Sequence, residues 1–264
     1  MPKLLELYPD LKAIILDMDG VLWRDQQPIG DLAAIFTRIS DLGLKVVLAT
    51  NNGTKNVTEY QEKLNGFGVY LENWQIINSA MACGSYLQEQ FPQGGKLYVV
   101  GSPSLKDTLQ SCGFDIVEEG EPVLAVVAGL DREISYAKLR NATIQIYHGA
   151  LFIGTNPDRT FPTPDGLVPG AGSILAALEA STYTAPVIVG KPSPLLYDLA
   201  IERLGTTPQQ TIAIGDRYDT DIIGGKRARL ITALLLSGVE DASKSSEWDP
   251  APDIIAQNLT ELLF

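Results

Sequence analysis

The chain has 264 residues and a formal net charge of −12, with 45% hydrophobic and 20% charged residues. This length allows one large domain or two modest ones, and the composition is that of a globular rather than a disordered protein. A chain this acidic repels a phosphate backbone, which argues against a nucleic-acid partner, whereas a small anionic ligand could still bind at a local positive site.

Targeting and membrane signals are missing from the sequence. Residues 1–12 carry Glu6 and Asp10 and no long apolar run, so they do not resemble a signal peptide. No segment reaches the roughly 20 apolar residues that a membrane span needs. We therefore expect a cytoplasmic protein without a membrane partner.

The first part of the chain predicts a strand, a helix and a second strand. Residues 13–16 and 46–49 are short apolar runs, and residues 31–42 between them have helical spacing. Runs that are apolar on both faces are typical of a parallel sheet covered by helices.

The middle of the chain predicts a separate unit. Its apolar runs at residues 97–100, 123–128 and 150–153 alternate with helical patterns at residues 104–111 and 136–142. The Pro- and Gly-rich residues 157–172 indicate a long connection. We expect core segments 1–78 and 182–264, interrupted by an inserted domain at residues 79–181.

The strand and helix pattern then returns. Strands are predicted at residues 186–189, 211–214 and 232–236, with helices at residues 195–204 and 221–229. The predicted fold class is α/β, with a doubly wound parallel-sheet (Rossmann-like) core. Ligands of such sheets bind beyond the carboxyl ends of the strands, so we expect the polar residues that follow four of these runs to converge.

Two of these polar strand ends are acidic. Asp17 and Asp19 follow the first strand, and Asp216, Asp219 and Asp221 follow a late one. Taken alone, the first group could be a turn and the second a helix N-terminus. Carboxylates this close repel each other unless a cation or a proton lies between them, and their hard oxygen atoms suit magnesium.

The other two strand ends could hold a phosphate. Thr50, Asn51 and Asn52 offer a hydroxyl, two amides and backbone N–H groups, although, taken alone, this stretch is better interpreted as a strand-to-helix turn with an N-cap. Lys191 could offset carboxylate charge and hold a phosphoryl oxygen, or it could be a solvated surface lysine.

Together, in this order, the motifs DMDG, TNN, GKPSP and GDRYDTD resemble those of the haloacid dehalogenase superfamily of hydrolases. The phrases GLD at residues 129–131, TNPD at 155–158 and PGAG at 169–172 are similar to the nitrophenyl-phosphatase, or NagD-like, branch. The resemblance extends from about residue 12 to residue 238.

The resemblance implies a role for each acid. Asp17 matches the nucleophile that forms an aspartyl-phosphate, and Asp19 matches the general acid and base. Asp216 matches a magnesium ligand, beside the Asp17 carboxylate and the Asp19 backbone carbonyl. Asp221 matches the outer acid that orients metal-bound water.

The resemblance also implies that Thr50, Asn51, Asn52 and Lys191 bind the phosphoryl group. The expected activity is a Mg²⁺-dependent phosphatase acting on a small phosphorylated metabolite, by positioning and charge neutralisation. The insert would be an α/β cap that excludes water and selects the substrate, and the protein would be a monomer or a cap-mediated homodimer.

Leaving-group contacts are expected in the cap near Gly129, Leu130, Asp131 and Asn156. The chain departs from the family at Arg229, where a glycine is usual and eases the exit from a helix. This departure puts the local turn in doubt, and not the chemistry.

Three alternatives stay open at this stage. A phosphotransferase would pass the aspartyl-phosphate to an alcohol, but mutases of the superfamily usually carry a small helical cap. A dehalogenase needs no metal and typically lacks the second acid, here Asp19. A non-catalytic binding protein could keep the fold, since fold alone never proves function.

Overall fold

The computed structural model of the chain describes residues 4–118, 120–163 and 166–264. Strands and helices are numbered along the chain. The strands are β1 Ala13–Leu16, β2 Trp23–Arg24, β3 Gln27–Pro28, β4 Lys45–Thr50, β5 Ile76–Asn78, β6 Gly95–Val100, β7 Phe114–Ile116, β8 Ala125–Ala128, β9 Leu151–Gly154, β10 Thr160–Thr163, β11 Gly166–Pro169, β12 Val187–Ile188, β13 Thr211–Gly215, β14 Ile231–Leu235 and β15 Ile254–Ala256. The α-helices are α1 Leu4–Leu7, α2 Leu32–Asp41, α3 Val57–Gly66, α4 Ser79–Gln90, α5 Pro103–Ser111, α6 Tyr136–Tyr147, α7 Ala171–Thr182, α8 Leu195–Leu204, α9 Ile223–Arg227 and α10 Leu259–Leu263.

The chain divides into two compact units. The core unit comprises Met1–Thr50, Val57–Ile77 and Pro192–Phe264, and the insert unit comprises Asn51–Asn56 and Asn78–Lys191. The domain boundaries expected from the sequence, after residues 78 and 181, stay a prediction.

The core unit is built on a six-stranded sheet in the order β15-β14-β13-β1-β4-β5. The central strand β1 pairs in parallel with β13 and β4, and β14 pairs in parallel with β13 and β15. All four residues of β1 are buried. A strand covered on both faces is expected to be apolar throughout, which is why the run at residues 13–16 was readable from the sequence.

Helix α2 shows how the core unit closes over its sheet. The Asp31 carboxylate caps its N-terminus by accepting the Ala34 N–H at 3.0 Å. The helical spacing then buries Leu32, Ile35 and Ile39 in the cluster that also contains residues of β1 and β4.

The insert unit has its own sheet of five strands in the order β12-β9-β8-β6-β7, and every pair in it is parallel. Helices α6 and α7 pack in one buried cluster with β6, β8 and β9. Both units are therefore parallel sheets flanked by helices, and the predicted α/β class with a Rossmann-like core is confirmed.

The strand predicted at residues 186–189 is present as β12, but it joins the insert sheet and not the core sheet. Strand β12 pairs with β9 of the insert sheet, where Val187 lies opposite Ile153. The ladder continues beyond β12, because Val189 N–H donates to the Gly154 carbonyl and Gly190 N–H donates to the Thr155 carbonyl. A short apolar run predicts a strand but does not say which sheet it joins.

Two other sequence interpretations need correction. Residues 157–172 contain the antiparallel hairpin β10–β11 rather than a plain connection, with residues 164 and 165 outside the described part. The helix predicted at residues 221–229 is a π-helical turn, Tyr218–Ile222, followed by α9.

Within residues 4–118, 120–163 and 166–264, no helix is both long enough and apolar enough to cross a membrane.

Candidate active site

Two neighbouring strands of the core sheet present one carboxylate each. Leu16 of β1 lies opposite Ile214 of β13, and the Asp17 N–H continues the ladder by donating to the Ile214 carbonyl at 2.9 Å. Asp216 follows the last residue of β13 directly. Because the two strands are parallel and adjacent, their carboxyl ends bring Asp17 and Asp216 to the same edge of the sheet.

A third acid joins them from the π-helical turn. Asp17, Asp216 and Asp221 offer carboxylate oxygens that all lie within 4.8 Å of one another. Asp216 and Asp221 are 1% and 2% exposed, and Asp17 is half-buried. Like charges at this spacing repel strongly away from water, so the cluster favours a bound cation. Three hard oxygen donors fit magnesium.

The π-helical turn fixes the Asp221 carboxylate. Asp221 Oδ2 accepts the Arg217 N–H at 3.1 Å, and the Tyr197 hydroxyl donates to the Asp221 backbone carbonyl at 3.1 Å. Asp219, in the same turn, is exposed and does not belong to the cluster. Single π-helical turns are frequently found at functional sites.

The backbone of three glycines packs closely against the carboxylates of Asp216 and Asp221. A Cβ added at Gly20 or Gly238 would overlap the Asp216 carboxylate, and one at Gly215 would overlap Asp221. The backbone also binds the acid directly, since Val239 N–H donates to Asp216 Oδ2 at 2.9 Å. Only residues without a side chain allow this approach.

Asp19 lies two residues beyond Asp17 and is exposed, outside the three-carboxylate cluster. Its Oδ1 accepts a hydrogen bond of 2.8 Å from the indole N–H of Trp23. A backbone bridge also pairs Asp19 with Trp23. The turn between the two residues therefore brings the Trp23 indole next to the Asp19 carboxylate.

Thr50 ends β4 and is 3% exposed. Its side chain shares a hydrogen bond with Tyr60, a core residue that is 2% exposed. Burial, followed by the negative charge of Asp19, raises the pKa of the Tyr60 phenol far above its ordinary value. Tyr60 therefore stays protonated beside the acids.

Asn51, Asn52 and Lys191 belong to the insert unit. The Asn51 amide clasps the Lys191 backbone from both sides, because Oδ1 accepts the Lys191 N–H at 2.7 Å and Nδ2 donates to the Lys191 carbonyl at 2.9 Å. Asn52 Oδ1 accepts the Thr54 N–H at 3.1 Å, which is the turn contact expected of an asparagine. Both side chains thus have local structural partners.

The candidate leaving-group residues of the insert unit also have local partners. Asp131 pairs with Lys138 at 2.7 Å and accepts the Glu133 N–H at 2.9 Å. Asn156 Nδ2 donates to Asp158 Oδ2 at 2.6 Å. Gly129 is buried and Leu130 half-buried. The expected contacts of these four residues with a leaving group stay a prediction.

Comparison with known proteins places this geometry in a family. Residues 14–115 match a family model described as haloacid dehalogenase-like hydrolase, and residues 188–262 match a second model of haloacid dehalogenase-like hydrolases. An acid sugar phosphatase of Staphylococcus saprophyticus is 31% identical over 252 residues, which are 96% of each chain. The chain belongs to the haloacid dehalogenase-like hydrolase family.

Solved structures agree with this membership. A p-nitrophenyl phosphatase from Archaeoglobus fulgidus has a TM-score of 0.90 at 30% identity, covering 97% of this chain and 99% of its own. NagD from Escherichia coli K-12 has a TM-score of 0.87 at 31% identity, covering 95% and 98%. Within the haloacid dehalogenase-like family, the chain is a phosphatase of the nitrophenyl-phosphatase and NagD-like group, as the sequence motifs predicted.

Several residues at this haloacid dehalogenase-like site were missed by sequence reasoning. Trp23 contacts Asp19 across a local turn, Tyr60 and Val239 contact motif residues through tertiary structure, and Gly238 packs on one of them. A signal for Gly238 was present, because it follows the predicted strand at residues 232–236 just as the other motifs follow theirs. For Trp23 and Tyr60 the sequence carries no comparable signal.

Proposed function

We propose that the protein is a Mg²⁺-dependent phosphatase that hydrolyses small phosphate monoesters through an aspartyl-phosphate on Asp17. The observation that carries this proposal is the cluster of Asp17, Asp216 and Asp221 oxygens within 4.8 Å. Asp17 and Asp216 would hold the metal, with the Asp19 backbone carbonyl, and Asp221 would act from the outer shell. When bound, magnesium would neutralise the charge of the carboxylates and of the phosphoryl group.

In the first half of the reaction, an Asp17 carboxylate oxygen attacks phosphorus as the bond from phosphorus to the ester oxygen breaks. Asp19 gives its proton to the departing oxygen. In the second half, Asp19 takes a proton from the attacking water, and the bond between phosphorus and Asp17 breaks to release inorganic phosphate.

We further propose that Thr50, Asn51, Asn52 and Lys191 bind the phosphoryl oxygens. Since the amides of Asn51 and Asn52 already have partners, backbone N–H groups are the better donors from this stretch. The Lys191 ammonium would offset charge that develops on the transferred group. The cytoplasmic location, and the choice between a monomer and a cap-mediated homodimer, stay predictions.

The test is phosphate release from p-nitrophenyl phosphate, with magnesium and with a chelator. A panel of phosphorylated metabolites follows, beginning with sugar phosphates because one relative is named an acid sugar phosphatase. Release that depends on magnesium supports the proposal. Release that persists in chelator contradicts the metal assignment, and release only with an added alcohol acceptor indicates a phosphotransferase.

Asp17→Asn tests the nucleophile. We expect turnover to fall at least about 1000-fold, since an amide cannot form the acyl phosphate, while thermal unfolding changes little. The matched control is Asp41→Asn, which removes an exposed acid at the end of α2. Magnesium-dependent turnover retained in Asp17→Asn would overturn the assignment.

A further inference from the structure

Trp23 lies outside the four motifs and contacts a proposed reacting group directly. Its indole N–H donates to Asp19 Oδ1 at 2.8 Å. An indole nitrogen is a donor only, so its partner must be an acceptor, which here is a carboxylate oxygen of Asp19. The exposed Asp19 side chain thereby loses rotational freedom that it would otherwise have in water.

The tryptophan ring is itself held on several sides. Trp23 is 1% exposed, and its ring packs against Phe67 with centroids 6.2 Å apart. The Lys63 ammonium lies 4.0 Å from the ring centroid and donates to the Asp25 carbonyl at 2.6 Å. A cation over the ring face withdraws electron density from the indole, which strengthens its N–H as a donor.

We propose that Trp23 is a positioning residue that aims the Asp19 carboxylate at the departing ester oxygen. This inference rests on the proposed function, in which Asp19 protonates that oxygen. With Oδ1 held by the indole, the carboxylate plane is fixed and the second oxygen is directed to the proton transfer. The orientation of Asp19 should affect the rate most for esters whose leaving oxygen is strongly basic and must be protonated as it departs.

The inference therefore concerns a substrate class. An alkyl phosphate leaves as a strongly basic alkoxide unless it receives a proton as its bond to phosphorus breaks. A p-nitrophenolate leaves readily without one. Trp23 should thus contribute to the hydrolysis of alkyl phosphates much more than to that of nitrophenyl phosphate.

Trp23→Phe is the first variant, because phenylalanine keeps an aromatic ring and removes the N–H. With glycerol phosphate as the alkyl ester, we expect kcat/KM to fall about 10-fold or more. With p-nitrophenyl phosphate, we expect kcat/KM to fall less than about 3-fold. The ratio kcat/KM is the quantity to compare, because it ends at the departure of the ester oxygen and leaves out the hydrolysis of the aspartyl-phosphate, which both esters share. Trp74→Phe is the matched control, since Trp74 is 43% exposed, and it should leave both rates unchanged.

A second variant separates the hydrogen bond from ring packing. Benzothienylalanine, introduced at position 23 by stop-codon suppression, replaces the indole N–H with sulfur and keeps the bicyclic shape. The same selective loss on glycerol phosphate supports the proposal. Equal losses on both esters, or none on either, overturn it. A wild-type protein that hydrolyses neither ester would instead refute the proposed phosphatase function.

Discussion

The core and insert units share one architecture but differ in how they arrange charge at the ends of their strands. Each is a parallel sheet whose strands end in polar residues. In the core unit, the strand ends gather three acids of like charge within 4.8 Å. In the insert unit, the Asp131 carboxylate at the end of β8 is matched by Lys138 at 2.7 Å.

This difference separates function from stability. Gathering like charges in a buried place costs folding free energy unless a ligand compensates it, so such a cluster is a sign of function. Pairing a buried carboxylate with a cation avoids that cost and ties local structure together. A position at a strand end therefore identifies a candidate residue. The charges around that residue then indicate whether it serves function or stability.

Gly238→Ala should give the largest effect among the variants that test this comparison. The added methyl overlaps the Asp216 carboxylate and must displace it. We expect the apparent magnesium affinity, measured by titrating phosphatase activity with the metal, to fall about 10- to 100-fold. Gly66→Ala is the control, because a Cβ there meets nothing within 4 Å. An unchanged magnesium affinity would show that the packing of Gly238 does not fix the position of the Asp216 carboxylate.

Lys138→Met tests the insert side. The change removes the cationic partner of Asp131, which is 6% exposed. We expect the free energy of unfolding to fall by about 1–3 kcal/mol, as measured in urea. Lys106→Met, which removes a looser surface pair of 3.6 Å with Glu118, should cost much less. Equal losses from the two variants would mean that burial of Asp131 adds nothing to the pair.

Asp253 is a paired carboxylate within the core unit, so it tests whether pairing stabilises the fold there as well. Asp253 accepts hydrogen bonds from the Thr232 N–H at 2.8 Å and from Lys226 at 2.7 Å. Burial pushes the pKa of Asp253 upward, but the hydrogen bonds from Lys226 and Thr232 outweigh it and lower the pKa below its ordinary 3.8.

A depressed folded-state pKa adds stability above the ordinary pKa, and that stability is lost as pH falls through the folded-state value. Asp253→Asn should therefore cost about 1 kcal/mol near neutral pH, and its unfolding curve should approach that of the wild type well below pH 3.8. A difference that is constant across this range would exclude the charge as its cause.

Arg229→Gly should give the smallest effect, because it changes backbone strain and no site contact. Arg229 adopts a left-handed conformation with φ of 61°, which explains why a glycine is usual there. Relief of strain and the greater freedom of the unfolded chain oppose each other. We expect stabilisation of less than about 1 kcal/mol by thermal unfolding, and marked destabilisation would show that the arginine side chain contributes packing.

Sequence reasoning succeeded where one local rule sufficed. The runs that became β1 and β13 are apolar throughout because both faces of the sheet are covered, so the positions of Asp17 and Asp216 followed directly. It failed for the strand before Lys191, because a short apolar run looks the same in either sheet. It also missed β10 and β11, whose Pro and Gly residues read as a loop.

Contacts set by tertiary packing, or by the exact path of a turn, could not be predicted from the pattern of apolar and polar residues. The hydrogen bond from Val239 to Asp216 joins residues 23 positions apart, and no periodicity records it. The indole of Trp23 reaches Asp19 because the intervening turn brings the chain back, which a pattern of apolar and polar residues does not specify.

The hydrogen bond between Trp23 and Asp19 also gives the protein a built-in optical reporter. Indole emission shifts with the charge and polarity of its surroundings, and this ring lies between the Lys63 ammonium and the Asp19 carboxylate. With Trp74 and Trp248 replaced by phenylalanine, Trp23 becomes the single tryptophan of the chain, and excitation at its red edge avoids the tyrosines. Arrival of a phosphate ester at Asp19 then becomes visible in real time, without a labelled substrate and before any product is released.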